Sequence, residues 1–231
     1  MARQDYKVEV LKQDPGDYDL SFKLIVVGDS GVGKSCLTIK ATKDNFDSIY
    51  SPTIGFEFMT FFIKIEDLYV KLQIWDTCGQ EVYRSLISSF YHNSSLALLV
   101  YAIDEKNSFI HLDSWLNEIR THGNPDINIF LIGNKVDLEN KRVITRELAE
   151  DFVEKNNAKL FLETSAKTGF NAQNVFIEAT KLLYEQHLLF KDRISRPDTL
   201  GNMVGDEANK NIIMETIDEE ETNKDRKKGC C

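Results

Sequence analysis

The chain has 231 residues, 42% of them hydrophobic and 28% charged, with a net charge of −9, which allows one full-sized domain with extensions but not comfortably two. The acidic balance argues against a nucleic-acid-binding surface. The four cysteines, Cys36, Cys78, Cys230 and Cys231, form no CxxC pair, so neither a disulfide framework nor a zinc site is indicated and a reducing compartment fits best.

Residues 1–20 carry charge throughout and lack the apolar stretch of a secretory signal; they are expected to form a flexible extension, the alternative being that they pack across the domain. Ala2 stands where N-myristoylation would need glycine. A domain spanning 21–190 follows. Apolar runs at Phe22 to Val27, Leu96 to Ile103, Ile127 to Ile132 and Leu160 to Leu162 read as buried strands. The longest of them is far too short to cross a bilayer.

In Tyr69 to Trp75, Val70, Leu72 and Ile74 alternate with Lys71 and Gln73, the pattern of a half-exposed strand that pairs with the preceding FEFMTFFIKI as a hairpin. The stretch from Ser108 to Gly123 reads as one helix with Phe109, Leu112, Trp115, Leu116 and Ile119 inward. Thr145 opens another, with Leu148, Ala149, Phe152 and Val153 inward, and Asn171 a third. Strands alternating with helices predict an α/β fold: a six-stranded, mostly parallel sheet with one antiparallel edge strand and helices on both faces. From Lys191 the chain is polar and charged, and 191–231 is expected to be a flexible tail.

Directly after the first buried strand comes Gly28, Asp29, Ser30, Gly31, Val32, Gly33, Lys34, Ser35, which fits GxxxxGK[ST] in the strand-to-helix context the motif requires. Its glycines let backbone N–H groups wrap phosphates, Lys34 reaches the terminal phosphates, and Ser35 offers a hydroxyl to Mg²⁺. Such a loop alone leaves kinases, ATPases and GTPases open. Selection comes from Asn134, Lys135, Val136 and Asp137, placed after the strand ending at Ile132. The Asp137 carboxylate can accept from both N1–H and the 2-amino group of guanine, whereas adenine would leave it unpaired. Ser165, Ala166 and Lys167 follow another strand and can present N–H groups to the guanine O6. Alone, either short motif reads as a loop or a turn, and their spacing after the phosphate loop reverses that.

With these residues the chain resembles the Ras superfamily of small GTPases, over roughly Phe22 to Phe190, and within it the Rab family. The Rab resemblance rests on Thr53, Ile54, Gly55, Phe56, Glu57 and Phe58, on the stretch from Trp75 through Asp76, Cys78, Gly79 and Gln80 to Glu81, and on the terminal Cys230 and Cys231. It implies that Cys36 joins the phosphate-binding set and that Thr53 and Ser35 ligate Mg²⁺, with Asp76 acting through water. It also implies that Gly79 donates to the γ-phosphate, that Gln80 orients the attacking water, and that Phe46 packs on the guanine; by its residue type alone Phe46 fits simple core packing equally well. Ile54, Gly55, Phe58, Trp75 and Phe90 would face effectors.

No arginine is identifiable to complete the site in cis, so turnover is expected to be slow and to need an activating protein, with an exchange factor to expel GDP. Four residues depart from the family pattern: Cys78 for alanine, Val82 for arginine, Phe90 for tyrosine and Ala102 for aspartate. None is a nucleotide ligand; they bear on partner specificity, and an exposed Cys78 would be a redox-sensitive thiol.

Rab proteins ending in two cysteines are generally geranylgeranylated on both, and two lipid chains anchor stably where one is marginal. The resemblance thus implies a prenylation escort protein, a GDP-dissociation inhibitor, and residence at the cytoplasmic face of intracellular membranes with a cytosolic pool. Arg226, Lys227 and Lys228 can add attraction to anionic lipid. Two other readings are weaker. A non-hydrolysing effector platform conflicts with intact Thr53, Gly79 and Gln80, and a small-metabolite kinase has no use for the guanine motifs.

Overall fold

The computed structural model describes residues 5–47, 53, 55–79 and 90–194. Ile54, Gln80, Val82, Cys230 and Cys231 lie outside the described residues, as does the chain beyond Ile194. Two compact units divide the chain, residues 1–182 and 183–231, and every described site residue discussed below belongs to the first.

That unit carries a seven-stranded sheet. In chain order its elements are β1 (Val8–Leu11), β2 (Leu20–Val27), α1 (Lys34–Lys43), β3 (Phe56–Ile65), β4 (Leu68–Thr77) and β5 (Leu96–Ala102), then α2 (Lys106–Ile110), α3 (Leu112–His122) and β6 (Asn128–Asn134). A 3₁₀ turn (Val136–Lys141), α4 (Arg146–Asn156) and β7 (Leu160–Glu163) follow, and α5 (Ala172–Ile194) begins in this unit and ends in the next. The strand order is β1-β3-β4-β2-β5-β6-β7. Pairing is parallel from β4 through β2, β5 and β6 to β7, and antiparallel for β3 with β4 and with β1.

The expected sheet was one strand short. The seventh strand comes from the extension expected to be flexible. Val8 to Leu11 pair with Ile65 to Phe62, so β3, expected as the antiparallel edge, is covered over its second half. Lys7 and Glu66 close the end of this pairing in both directions, Lys7 N donating to Glu66 Oε1 and Glu66 N to Lys7 O. Further along, Asp19 and Tyr69 exchange two hydrogen bonds, and Lys71 Nζ sits 4.6 Å from the Tyr18 ring. The extension is therefore knitted to the β3–β4 hairpin by main chain and side chain together.

Every residue of β5 and β6 is buried, as strands covered on both faces require. One face of the sheet packs Ile25, Val27, Leu99 and Leu131 against Leu112, Trp115, Leu116 and Ile119 of α3. On the other, α1 lies against β3 and β4, and Phe61 meets Phe176 of α5 at 5.4 Å. Leu148, expected inward, is exposed because Ala149 takes the inward position on α4. Thr145 does cap that helix, accepting from Leu148 N.

The helix expected from Ser108 to Gly123 is two, α2 and α3, meeting at His111, whose N–H closes α2 on Asn107 O and whose carbonyl accepts from Trp115 N. Helix α5 continues through Lys191 to Ile194, where the flexible tail was expected to have begun. Among the described residues no helix is long and apolar enough to cross a membrane.

Candidate functional site

The carboxyl ends of parallel strands β2, β5, β6 and β7 share one edge of the sheet, the place where open α/β sheets gather ligands. Residues 28–33 leave β2 there and turn into α1. Gly28, at φ 139°, is required because a Cβ would overlap Val100 O of β5. The loop ends in Gly33 as the left-handed N-cap of α1, which has no side-chain cap, so its first N–H groups are left for another acceptor.

Lys34 is buried, and its Nζ donates to Gly28 O at 2.7 Å and Asp29 O at 2.8 Å. Burial lowers its pKa to about 8, against the pull of Asp76 and Asp29. Ser35 Oγ donates to Asp76 Oδ2 and lies 2.6 Å from Thr53 Oγ1. Asp76, at the end of β4, is fully buried, and its Oδ1 has no hydrogen-bond partner among the described residues. Burial pushes its pKa up to about 7, although the Ser35 hydrogen bond and Lys34 act the other way.

Three hard oxygen donors thus converge, from α1, from β4 and from Thr53, and one of them is a carboxylate that desolvation penalises. A small divalent cation would relieve that penalty, so the donor set fits Mg²⁺. Among the described residues no cluster of three or more His, Cys, Asp and Glu could hold a metal unaided. Phosphate oxygens are the natural additional ligands.

Asn134 joins the loops from three strands. Its Nδ2 donates to Val32 O at 2.8 Å and more distantly to Gly33 O, while its Oδ1 accepts from Thr164 Oγ1 and Ala166 N. Asp137 Oδ1 accepts from Ser165 Oγ at 2.6 Å, and Lys167 Nζ lies 3.9 Å from its Oδ2. Lys135 takes a left-handed conformation, φ 69°, with Nζ 3.8 Å from Asp104 Oδ1. The phosphate loop and both candidate guanine motifs are therefore one bonded assembly. Phe46 lies half-buried in the loop after α1.

Two side chains near the loop are engaged or enclosed by the fold. The carboxylate of Asp29, placed in the phosphate-binding set, is engaged by α3 and the residue before it: Trp115 Nε1 donates to it at 2.8 Å and His111 Nδ1 lies 2.6 Å away. Cys78 is buried, with its N–H on Gly55 O, so the exposed redox-sensitive thiol is not found. Cys36 is half-buried on α1, and burial raises its thiol pKa.

Beside the site, Trp75 meets Phe58 at 5.2 Å and Phe90 at 5.0 Å. A fourth ring that sequence reasoning passed over, Phe56, lies 4.5 Å from Phe90 and 5.3 Å from Trp75. Strand periodicity was the available signal, since Phe56 and Phe58 are two apart and share a face. Lys23 Nζ lies 5.2 Å from the Trp75 ring, and Phe56 and Phe58 are both nearly half exposed.

The sequence model of the Ras family matches residues 23–185, from Lys23 in β2 into α5, well over half of the chain. With that match added to the phosphate loop, the buried Lys34 and Asp76 and the Asn134 junction, the chain belongs to the Ras family of small GTPases, molecular switches that bind guanine nucleotide and hydrolyse GTP.

Proposed function

We propose that this GTPase is a Rab-type switch of vesicle traffic, carried by lipid on Cys230 and Cys231 at the cytoplasmic face of intracellular membranes. The observation that carries this reading is the ring contact of Phe58, Trp75 and Phe90 on β3, on β4 and just before β5. The same β4 that presents Trp75 ends in Asp76 and Thr77, and Cys78 N holds Gly55 O across from it. A surface so placed can report the nucleotide state to a partner. Phe56 enlarges it and supplies ring contact to Phe90, which lacks the hydroxyl of the usual tyrosine.

In this reading Lys34 and the N–H groups opening α1 hold the phosphates, and Asn134 fixes the guanine rim while Asp137 selects the base. Ser35 and Thr53, with Asp76 acting through water, would hold Mg²⁺, which when bound neutralises phosphate charge. Thr53 and Gly79 contact the γ-phosphate and give way once it leaves, and Gln80 orients the hydrolytic water. Ras-family GTPases work with exchange factors, activating proteins and effectors. A prenylation escort protein and a GDP-dissociation inhibitor are the further partners this reading requires.

Expression of Gln80→Leu and of a Cys230→Ser, Cys231→Ser double variant tests the proposal. The first should collect on one class of internal membrane and alter passage of cargo through it, and the second should be soluble and without effect on transport. Identical soluble distribution of both, with transport unaltered, would overturn the traffic role and leave the GTPase assignment intact.

A further inference from the structure

An acid in a phosphate-binding loop is an electrostatic problem, because its charge repels the ligand wherever it faces it. Asp29 is such an acid, and the fold holds its carboxylate on α3. Trp115, buried in the core against β5, anchors Oδ1, and half-exposed His111 at the α2–α3 junction meets Oδ2. The backbone of the same residue is engaged as well. Its carbonyl accepts from Lys34 Nζ, and Gly79 comes so close that a Cβ there would overlap Asp29 C and Ser30 N. One residue therefore joins α3, the phosphate-binding lysine and the segment that follows β4.

We propose that Asp29 is a positioning residue: clamped between Trp115 and His111, it hangs the phosphate loop on α3, so that nucleotide release depends on how firmly His111 holds it. The proposal rests on that loop being the nucleotide site. A hydrogen bond accepted by a carboxylate is roughly twice as strong as a neutral one, so two such contacts, from Trp115 Nε1 and with His111 Nδ1, make a firm clamp.

The test is release of fluorescent GDP from the full chain with Mg²⁺, read beside the thermal unfolding midpoint, for wild type, His111→Gln, Asp29→Asn and Trp115→Phe. His111→Gln should release GDP roughly 3- to 10-fold faster than wild type at an unchanged unfolding midpoint, and Asp29→Asn should release it faster as well. Trp115→Phe keeps a buried ring but loses the donor, and should release GDP about 10-fold faster. Should Trp115→Phe fail to fold, the exposed His111→Gln decides alone. Tight GDP binding with wild-type release rates in His111→Gln and Asp29→Asn overturns the clamp and leaves the nucleotide site standing, whereas wild type unable to hold GDP overturns both.

Discussion

On the rim formed by Asn134, Ser165 and Ala166, protein groups satisfy one another: Asn134 bonds at both ends of its amide, and Ser165 holds Asp137. Across the crevice, Lys34 and Asp76 are buried charges shifted against their ionised forms, and Asp76 Oδ1 has no partner among the described residues. The rim proposed for guanine is finished by the fold, whereas the side proposed for the phosphates leaves buried charges that a ligand's charges would complete. A switch needs that division. It must hold the base throughout its cycle while its response changes with one phosphate.

The comparison breaks first at Asn134. Replacement by alanine leaves Ala166 N and Val32 O buried without their partner, a loss of about 3–5 kcal/mol. Thermal unfolding and GDP titration should show lower stability together with affinity reduced at least ~100-fold. If affinity falls while stability holds, the residue is a ligand more than a junction.

Asp76 tests the other side. Its folded pKa lies above the unfolded value, so the folded chain binds the extra proton between about pH 4 and pH 7. Without nucleotide or Mg²⁺, stability should therefore fall as pH rises through that window, by on the order of 3 kcal/mol. Denaturant titrations should find this slope lost in Asp76→Asn, and in wild type when GDP and Mg²⁺ are present.

Smaller effects separate the nucleotide rim from the sheet's far edge. Deletion of residues 1–16 removes β1 and should cost about 2 kcal/mol, while GDP affinity stays within about threefold. Lys71→Ala, which removes the contact with Tyr18, should change stability by less than about 1 kcal/mol and leave the nucleotide site untouched. Chemical denaturation checks both.

What the chain discloses in advance follows the range of the interactions involved. Strands β2, β5 and β6 were readable because burial on both faces demands unbroken apolar runs, and Thr145 because capping is local. Strand β1 was not, since Val8–Leu11 is four residues interrupted by Glu9 and becomes a strand only by pairing with residues more than fifty positions away. The phosphate loop and guanine motifs were legible as chemistry. The contact of Asp29 with Trp115, 86 positions apart, has no local signature. The break at His111 likewise escaped a reading by periodicity, because α2 and α3 present their apolar residues to a common core.

The most direct test of the account is the base specificity of Asp137→Asn. If the Asp137 carboxylate accepts from N1–H and the 2-amino group of guanine, an amide in its place should weaken GDP binding by orders of magnitude and favour xanthosine diphosphate, whose 2-oxo group needs a donor. Fluorescence competition with the two diphosphates measures this. A reversed preference is the predicted result, and unchanged selection of GDP by the variant would contradict the placement of the guanine at the Asn134 rim.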